Sequence, residues 1–267
     1  MYSLRLTCQA AEVDHLSGEL WQAGTCGIQE IENGGSVVLL AHFEFNDQRA
    51  VLLECFASYA PKWNQEELVD WVRQTHQAWP ARKIGEKIFL APAWSNEPTP
   101  PGYERVIHNP GLACGTGEHP CSQLALLALE NYVHEGDAVA DVGTGSGILA
   151  IAAHRLGADF VIGLDIDEAA LGATKENFKL NALPSTLVAG STECLTDECV
   201  DVVVANINAT VLLSIFDDLL RVTKPGGWLI LTGFPESEAA VFTRIFPSAE
   251  MFAQGEWRCI AFRSSGA

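Results

Sequence analysis

Long apolar runs are absent from this chain of 267 residues. Because no stretch of eighteen consecutive apolar residues occurs, we expect no membrane-spanning helix. The first residues, Met1 to Arg5, lack the charged and apolar regions of a secretory signal peptide. The sequence therefore predicts a protein of the cytoplasm that does not contact a membrane.

Closely spaced cysteine pairs are also absent. The chain has eight cysteines but no C-x-x-C pair, so the sequence indicates neither a zinc ribbon nor a compact disulfide framework. Free thiols in a reducing cytoplasm are expected, and no metal site is predicted.

Basic residues are scarce. Sixteen Lys and Arg stand against thirty-four Asp and Glu, which gives a net charge of −18. Such a charge repels phosphate backbones, so direct binding to nucleic acid is not expected, whereas a basic protein partner would be attracted. The alternative is that the acids simply keep the protein soluble. With 48% hydrophobic residues, the chain can build a sizeable core in one large and one small domain.

A glycine-rich stretch lies near the middle of the chain. The apolar run Ala138 to Val142 predicts a strand, Gly143, Gly145 and Gly147 follow at alternate positions, and helical spacing begins at Ile148. A glycine turn between a strand and a helix lets the backbone approach a ligand closely, and the helix offers free N–H donors. A turn without a ligand is the alternative.

An acidic residue follows the next predicted strand and helps to separate the candidate ligands. Phe160 to Leu164 is apolar and ends at Asp165, where a carboxylate would accept hydrogen bonds from ribose hydroxyls. The dinucleotide pattern G-x-G-x-x-G requires glycine or alanine at position 148, where this chain has Ile148. The pattern G-x-G-x-G with a distal acid instead resembles that of the Rossmann-like methyltransferases that use S-adenosylmethionine.

A third predicted strand also ends in a polar residue. The mainly apolar run Val200 to Ala205 is typical of a buried parallel strand, and Asn206 stands at its carboxyl end, where open α/β sheets bind ligands. The amide oxygen of Asn206 can accept a hydrogen bond from an amine and so orient its lone pair. The alternative is an asparagine that merely ends a strand and caps the next helix. Asp201, inside this run, has no functional interpretation.

The first part of the chain predicts the order strand, helix, strand, strand, helix, strand, which is typical of a ferredoxin-like sandwich. The predicted boundaries are residues 1–65 for this domain, 66–100 for a linker and 101–267 for the large α/β domain. The predicted elements of the first domain and the linker are strand Leu4–Cys8, helix Ala11–Ala23, strands Gly27–Glu32 and Ser36–Phe45, helix Gln48–Tyr59, strand Pro61–Glu66, helix Glu66–Trp79 and strand Lys87–Ala91. Later elements are helix Ala209–Arg221, turn Lys224–Gly227, strand Trp228–Thr232, helix Glu236–Phe246 and the antiparallel pair Ala249–Ala253 and Trp257–Phe262.

A second glycine-containing loop, Asn109 to Ser122, precedes a predicted helix. It would either cover a ligand held at Gly143 or serve as a plain connection. His119 lies in this loop without the partners of a metal set or a catalytic triad, so we expect it to have a structural role.

Several motifs in order resemble the ribosomal protein L11 methyltransferase family. They are N-P-G-L-A-C-G-T-G-E-H-P-C-S, D-V-G-T-G-S-G-I-L-A-I-A-A, G-L-D-I-D and V-V-V-A-N-I-N-A, with spacing that matches over residues 105–235. The linker segment Asp70 to Trp94 is similar as well. Three departures are Cys114 for a phenylalanine, Cys121-Ser122 for two threonines, and a shorter N-terminal region.

The resemblance implies a seven-stranded Rossmann-like methyltransferase domain after a ferredoxin-like substrate-recognition domain. It implies transfer of methyl groups from S-adenosylmethionine to lysines, the N-terminal amine or both, of a large-subunit ribosomal protein. Separately from the resemblance, we expect a monomer. The resemblance suggests Ser122, Gly143, Gly145, Gly147, Asp165 and Asn206 as cofactor-binding residues, with Asn206 also catalytic. Alternatives are a lysine methyltransferase for another protein, a small-molecule methyltransferase, and a cofactor-binding module without catalysis.

Overall fold

The computed structural model describes residues 2–33, 35–65, 79–109, 115 and 117–265. The chain divides into two compact units, residues 1–75 and 76–267. The predicted domain limits at 65 and 100 stay predictions. Most of the predicted helix Glu66–Trp79 and part of the loop after Asn109 lie outside the described residues.

The described residues of the first unit form a four-stranded antiparallel sheet and two α-helices. Its elements are β1 (Tyr2–Cys8), α1 (Val13–Gln22), β2 (Gly27–Asn33), β3 (Ser36–Phe43), α2 (Arg49–Cys55) and β4 (Lys62–Gln65). Short 3-10 helices at Ala10–Glu12 and Ala57–Tyr59 adjoin the two α-helices. The strand order β2-β3-β1-β4 is that of the ferredoxin-like fold, so the predicted small α+β domain is confirmed.

Period-two alternation explains the core of this unit. Leu4, Leu6 and Cys8 on β1 point to one face, where they pack with Leu16 and Leu20 of α1. All five side chains are buried, whereas the intervening Arg5 and Thr7 are exposed. Burial of a leucine side chain contributes about 1.5 to 3 kcal/mol, so these side chains stabilise the packing of α1 on the sheet.

The second unit is built on a seven-stranded sheet with helices on both faces. Its strands are β8 (Ala138–Val142), β9 (Phe160–Asp165), β10 (Thr186–Ala189), β11 (Val200–Asn206), β12 (Thr223–Pro235), β13 (Glu250–Gln254) and β14 (Trp257–Arg263). Its helices are α3 (Pro120–Tyr132), α4 (Ile148–Arg155), α5 (Glu168–Leu180), α6 (Ala209–Ser214), α7 (Phe216–Val222) and α8 (Glu236–Ile245). A 3-10 helix covers Thr192–Cys194.

The strand order of this sheet is β10-β9-β8-β11-β12-β14-β13. The pairs from β10 through β12 are parallel, and β14 runs antiparallel to both of its neighbours. Val139 packs with α3, α4 and α5 on one face, while Ala140 packs with α6, α7 and α8 on the other. The predicted Rossmann-like sheet of seven strands is therefore confirmed. Its order reverses between β8 and β11, which is where such sheets bind ligands.

A second, three-stranded sheet in this unit was not predicted as a sheet. It consists of β5 (Arg82–Ile84), β6 (Ile88–Pro92) and β7 (Glu104–His108), with β6 antiparallel to β5 and parallel to β7. Ile84, Ile88 and Val106 are buried in the same core cluster as α3 and α4. Residues 82–92, predicted as part of a linker, thus contribute to the core of the large unit.

One predicted helix differs from the structure. The segment Ala209–Arg221 forms two helices, α6 and α7, that meet at Ile215 rather than one continuous helix. The predicted turn Lys224–Gly227 lies within β12. Thr223 pairs with Val200 and Trp228 pairs with Val202, so the four residues of the predicted turn, between Thr223 and Trp228, loop out of the ladder.

No helix in the described part of the chain is long and apolar enough to cross a membrane.

Candidate active site

Three parallel strands bring the residues predicted from sequence to one edge of the sheet. Val142, at the end of β8, pairs with Leu164 of β9 and with Ala205 of β11. The next residue along each strand is Gly143, Asp165 or Asn206. These three residues therefore lie side by side at the carboxyl edge, on both sides of the point where the strand order reverses.

The glycine turn, defined as Gly143 to Gly147, needs glycine at three positions. Gly143, Gly145 and Gly147 have φ values of +73°, +55° and +80°, a left-handed conformation that other residues rarely adopt. Space is limiting as well, since a Cβ on Gly143 would lie 2.6 Å from Ile207 Cγ2 and one on Gly147 would lie 2.5 Å from Thr174 Cγ2. The turn presents bare backbone at the mouth of β8.

Asp165 is held by the turn itself. Its Oδ2 accepts a hydrogen bond from the Gly145 amide at 2.9 Å, and its Oδ1 accepts one from the Asp167 amide at 3.0 Å. Each carboxylate oxygen keeps a further lone pair, so both can accept hydroxyl hydrogens from a diol. The carboxylate has a fixed position beside the glycine turn.

Ser122 and Asn206 are also brought together. Asn206 Nδ2 donates a hydrogen bond to Ser122 Oγ at 3.2 Å, and Ser122, in the first turn of α3, is only 2% exposed. This contact fixes the amide of Asn206 at the end of β11. Within the described residues the Oδ1 atom of Asn206 has no hydrogen-bond partner, so the acceptor oxygen remains available to a ligand.

His119 has a structural position, as the sequence suggests. It is the N-cap of α3, where its Nδ1 accepts a hydrogen bond from the Cys121 amide at 3.3 Å. Its ring packs edge-on against the Trp257 ring with 4.4 Å between centroids. His119 therefore orients the helix that carries Ser122.

Asp141 is a buried residue of the site that sequence reasoning did not single out, although it belongs to the quoted motif. Its Oδ2 accepts hydrogen bonds from Thr144 Oγ1 at 2.7 Å and from the Ala150 amide at 3.1 Å. Its Oδ1 is buried and has no partner among the described residues. Burial raises the pKa of Asp141 to about 7, the largest cause being loss of solvent around the charged form. Asp141 thus ties the turn to the start of α4.

Asn177 of α5 was also missed, because only the folded chain places it beside the turn. Its Nδ2 donates a hydrogen bond to the Ser146 carbonyl at 2.8 Å, and its side chain is 1% exposed. In sequence it lies thirty positions beyond the last of the three glycines, in a helix without any functional motif.

No cluster of three His, Cys, Asp or Glu side chains suited to a metal ion occurs among the residues that the structure describes.

Comparison with known proteins gives the family. The family model described as ribosomal protein L11 methyltransferase (PrmA) matches residues 26–265. The chain belongs to the ribosomal protein L11 methyltransferase family. The match includes Ser122, the glycine turn, Asp165 and Asn206, and it confirms the resemblance that the sequence motifs indicate.

Individual members of the L11 methyltransferase family agree with this assignment. A protein named ribosomal protein L11 methyltransferase from Listeria monocytogenes is 38% identical over 206 residues, which are 74% of this chain and 64% of that protein. A protein of the same name from Geobacillus thermodenitrificans is 41% identical over 179 residues, 66% of this chain and 56% of that protein. The crystal structure of a ribosomal protein L11 methylase from Lactobacillus delbrueckii subsp. bulgaricus has 32% identity and a TM-score of 0.63, and covers 70% of this chain and 100% of that chain.

The matched part of this chain spans less than two-thirds of the length of the two curated L11 methyltransferases.

Proposed function

We propose that this chain transfers methyl groups from S-adenosylmethionine to amino nitrogens of a large-subunit ribosomal protein, on lysine side chains, the N-terminal amine or both. The single observation that carries the proposal is the meeting of Gly143, Asp165 and Asn206 at the carboxyl edge of β8, β9 and β11. Family membership supports the choice of reaction and of protein substrate.

The residues at this edge suit the methyl donor. Gly143 presents backbone without a side chain to the methionine part, at a position where a Cβ would clash with Ile207. Asp165 would hold the two ribose hydroxyls, since its carboxylate faces the glycine turn. The Ser122 hydroxyl, the backbone of Gly145 and Gly147, and Asn206 at the same edge of the sheet complete the set of residues that we assign to the cofactor. When bound, the cofactor supplies an electrophilic methyl group on a sulfonium centre.

Asn206 would act on the incoming amine. Because its Nδ2 is occupied by Ser122, its Oδ1 is the atom that can accept an N–H from the substrate. That hydrogen bond orients the nitrogen lone pair, so the residue acts by positioning. A lysine amine in solution has a pKa of about 10.4 and must lose a proton before it can attack, which a partly desolvated site favours. The nitrogen then forms the new C–N bond as the S–C bond breaks, and the products are the methylated amine and S-adenosylhomocysteine.

The remaining parts of the proposal concern partners and place. A net charge of −18 favours a basic ribosomal protein as substrate and disfavours direct contact with nucleic acid. The activity belongs in the cytoplasm, in a monomer without membrane contact.

The test is methyl transfer in vitro. The purified chain is incubated with radiolabelled S-adenosylmethionine and the separated proteins of the large ribosomal subunit, and modified nitrogens are mapped by mass spectrometry. We expect label in one basic ribosomal protein, at lysine or N-terminal nitrogens. Label found only in other proteins or in small molecules would mean that the ribosomal protein is not the substrate and that one of those molecules is. Cofactor binding without formation of S-adenosylhomocysteine from any of these substrates would mean a binding module rather than an enzyme.

A further inference from the structure

Helix α5 and its C-cap residue, Asn181, carry buried polar side chains that reach two different segments of the large unit. Thr174, Asn177 and Asn181 are all buried, with exposures of 0%, 1% and 3%. Buried polar side chains are costly unless they are hydrogen-bonded, so each of them needs partners. The partners of the first two include the glycine turn, whereas those of Asn181 do not.

Asn177 forms a bridge. Its Nδ2 donates to the Ser146 carbonyl of the glycine turn at 2.8 Å, and its Oδ1 accepts from the Asn109 amide at 2.8 Å. Asn109 follows β7 and begins the loop that leads to Ser122. One side chain therefore connects the glycine turn with the residue that follows β7.

Two further contacts strengthen this connection. Ser146 Oγ donates a hydrogen bond to the Gly115 carbonyl at 2.5 Å, which joins the turn to the same loop at a second point. Thr174 Oγ1 donates to the Gly145 carbonyl at 2.7 Å, which joins the turn to α5. The turn is thus held from the side of α5 as well as by its own strand and helix.

Asn181 has similar chemistry without the turn. Its Oδ1 accepts from the Ile107 amide at 2.9 Å, and its Nδ2 donates to the Ile107 carbonyl at 2.6 Å and the Asn177 carbonyl at 2.8 Å. These contacts join α5 to β7 and leave the glycine turn untouched. Asn181 is therefore a matched control, because it is equally buried, lies one helical turn away and also binds backbone.

We propose that Asn177 is a positioning residue for the methyl donor, because it holds the Ser146 carbonyl and the Asn109 amide with one side chain and so fixes the glycine turn relative to the residue that follows β7. The inference rests on the proposed function, since it assumes that S-adenosylmethionine binds at this turn. Asn177 acts through the backbone that it holds.

The physical reason is preorganisation. A ligand that meets a glycine turn already in place does not lose affinity to the ordering of that turn. Without the Asn177 side chain, the Ser146 carbonyl and the Asn109 amide lose their common partner, and among the described residues only the hydrogen bond from Ser146 to Gly115 still joins the turn to the residues after β7. Binding must then restore their arrangement, so affinity falls even though no atom that touches the ligand has changed.

The experiment compares Asn177→Leu with Asn181→Leu by calorimetric titration with S-adenosylmethionine and by thermal unfolding. Both changes remove a buried amide of the same size, so both should lower the melting temperature by a similar amount. We expect the Kd for S-adenosylmethionine to rise about tenfold in Asn177→Leu and to stay within about twofold of the wild-type value in Asn181→Leu. In turnover assays the KM for the cofactor should rise more than kcat falls.

Ser146→Ala provides an independent variant if Asn177→Leu does not fold. It removes only the hydroxyl that reaches the Gly115 carbonyl, so it should raise the Kd severalfold with little loss of stability. Equal affinities in the wild type, in the folded Asn177 variant and in Ser146→Ala would overturn the inference and leave the proposed function intact. Absence of binding by the wild type would overturn the proposed function and the inference with it.

Discussion

Ser122 and Asn206 are 84 positions apart in the sequence, yet their side chains are joined by a hydrogen bond of 3.2 Å. The sequence indicates each of them separately, Asn206 from the end of an apolar strand and Ser122 from its place in the family motif. Their contact could not be predicted, because it depends on how α3 packs against β11. The same holds for Asn177, whose neighbours in the sequence give no indication of the glycine turn.

Replacement of Asn206 should affect turnover more than cofactor binding. In Asn206→Ala the acceptor for the substrate amine is lost, so we expect kcat to fall about 100-fold, while the Kd for S-adenosylmethionine changes by about threefold or less. Steady-state rates with the ribosomal protein substrate and calorimetry with the cofactor measure the two effects.

Asn208→Ala is the control for this variant. Asn208 caps α6 through a 3.0 Å bond from the Val211 amide to its Oδ1, so its loss costs about 1 kcal/mol of stability without direct loss of turnover. Wild-type turnover in Asn206→Ala would remove Asn206 from the site.

The buried carboxyl of Asp141 predicts a pH dependence of stability. Burial raises its pKa in the folded state to about 7, from an ordinary value of 3.8. Between about pH 4 and pH 7 the folded state therefore holds more protons than the unfolded state, so this group makes the protein less stable as pH rises through that window. In Asp141→Asn that contribution is absent.

Urea unfolding at several pH values tests this expectation. The stability of the wild type relative to Asp141→Asn should decrease steadily from about pH 4 to about pH 7 and level off above it. Parallel pH profiles of the two proteins would show that Asp141 does not titrate in this range.

At the scale of elements, the sequence predicts strands and helices that have regular hydrophobic patterns, but it does not predict short strands or those next to proline-rich segments. The strand, glycine turn and helix of β8 and α4 follow from apolar runs and from three glycines. The sheet of β5, β6 and β7 was missed as a sheet because β5 has three residues and β7 follows a proline-rich stretch that predicts irregular structure. Its pairing is tertiary information, since β6 pairs with both of the other strands.

The surroundings of Gly143 and Gly136 predict different effects of an alanine substitution at the two positions. Gly143 and Gly136 both have positive φ, +73° and +91°, so alanine is strained at either position by about 1 kcal/mol. A Cβ on Gly143 would also meet Ile207, whereas the space around Gly136 is open. We expect Gly143→Ala to lower the melting temperature more than Gly136→Ala.

Affinity for the methyl donor should separate these two variants as well. Gly143→Ala should raise the Kd for S-adenosylmethionine at least tenfold, because the new methyl group would meet Ile207 and so displace Ile207 or the glycine turn at the mouth of β8. Gly136→Ala should bind normally. Calorimetry and thermal unfolding of both variants measure the difference. Equal Kd values and equal melting temperatures in the two variants would mean that glycine at position 143 is needed only for its backbone conformation and not for cofactor binding.

At the scale of the whole molecule, the charge balance and the architecture were both accessible from the sequence. The order of predicted elements gives a ferredoxin-like unit and a Rossmann-like unit, and both are present. The net charge of −18 is a property of the whole chain, and it acts on a substrate over a distance that salt limits to about 8 to 10 Å at physiological ionic strength. This charge leads to a prediction about the protein substrate.

Methylation of a basic ribosomal protein should be sensitive to salt. As sodium chloride rises from about 50 mM to about 500 mM, we expect the KM for the protein substrate to increase several-fold, because screening weakens the attraction between opposite charges. The Kd for S-adenosylmethionine should change little, since its contacts are local. A KM independent of salt would show that the net charge plays no part in recognition.

The central claim is that S-adenosylmethionine binds at the carboxyl edge of β8, β9 and β11 with its ribose on Asp165. Calorimetric titration of the wild type and of Asp165→Ala with S-adenosylmethionine tests it most directly. The account predicts one site per chain in the wild type and a Kd about 10 to 100 times higher in the variant, because a hydrogen bond to a charged group contributes about 1.5 to 3 kcal/mol. Absence of heat with the wild type, or equal affinity in Asp165→Ala, would contradict it.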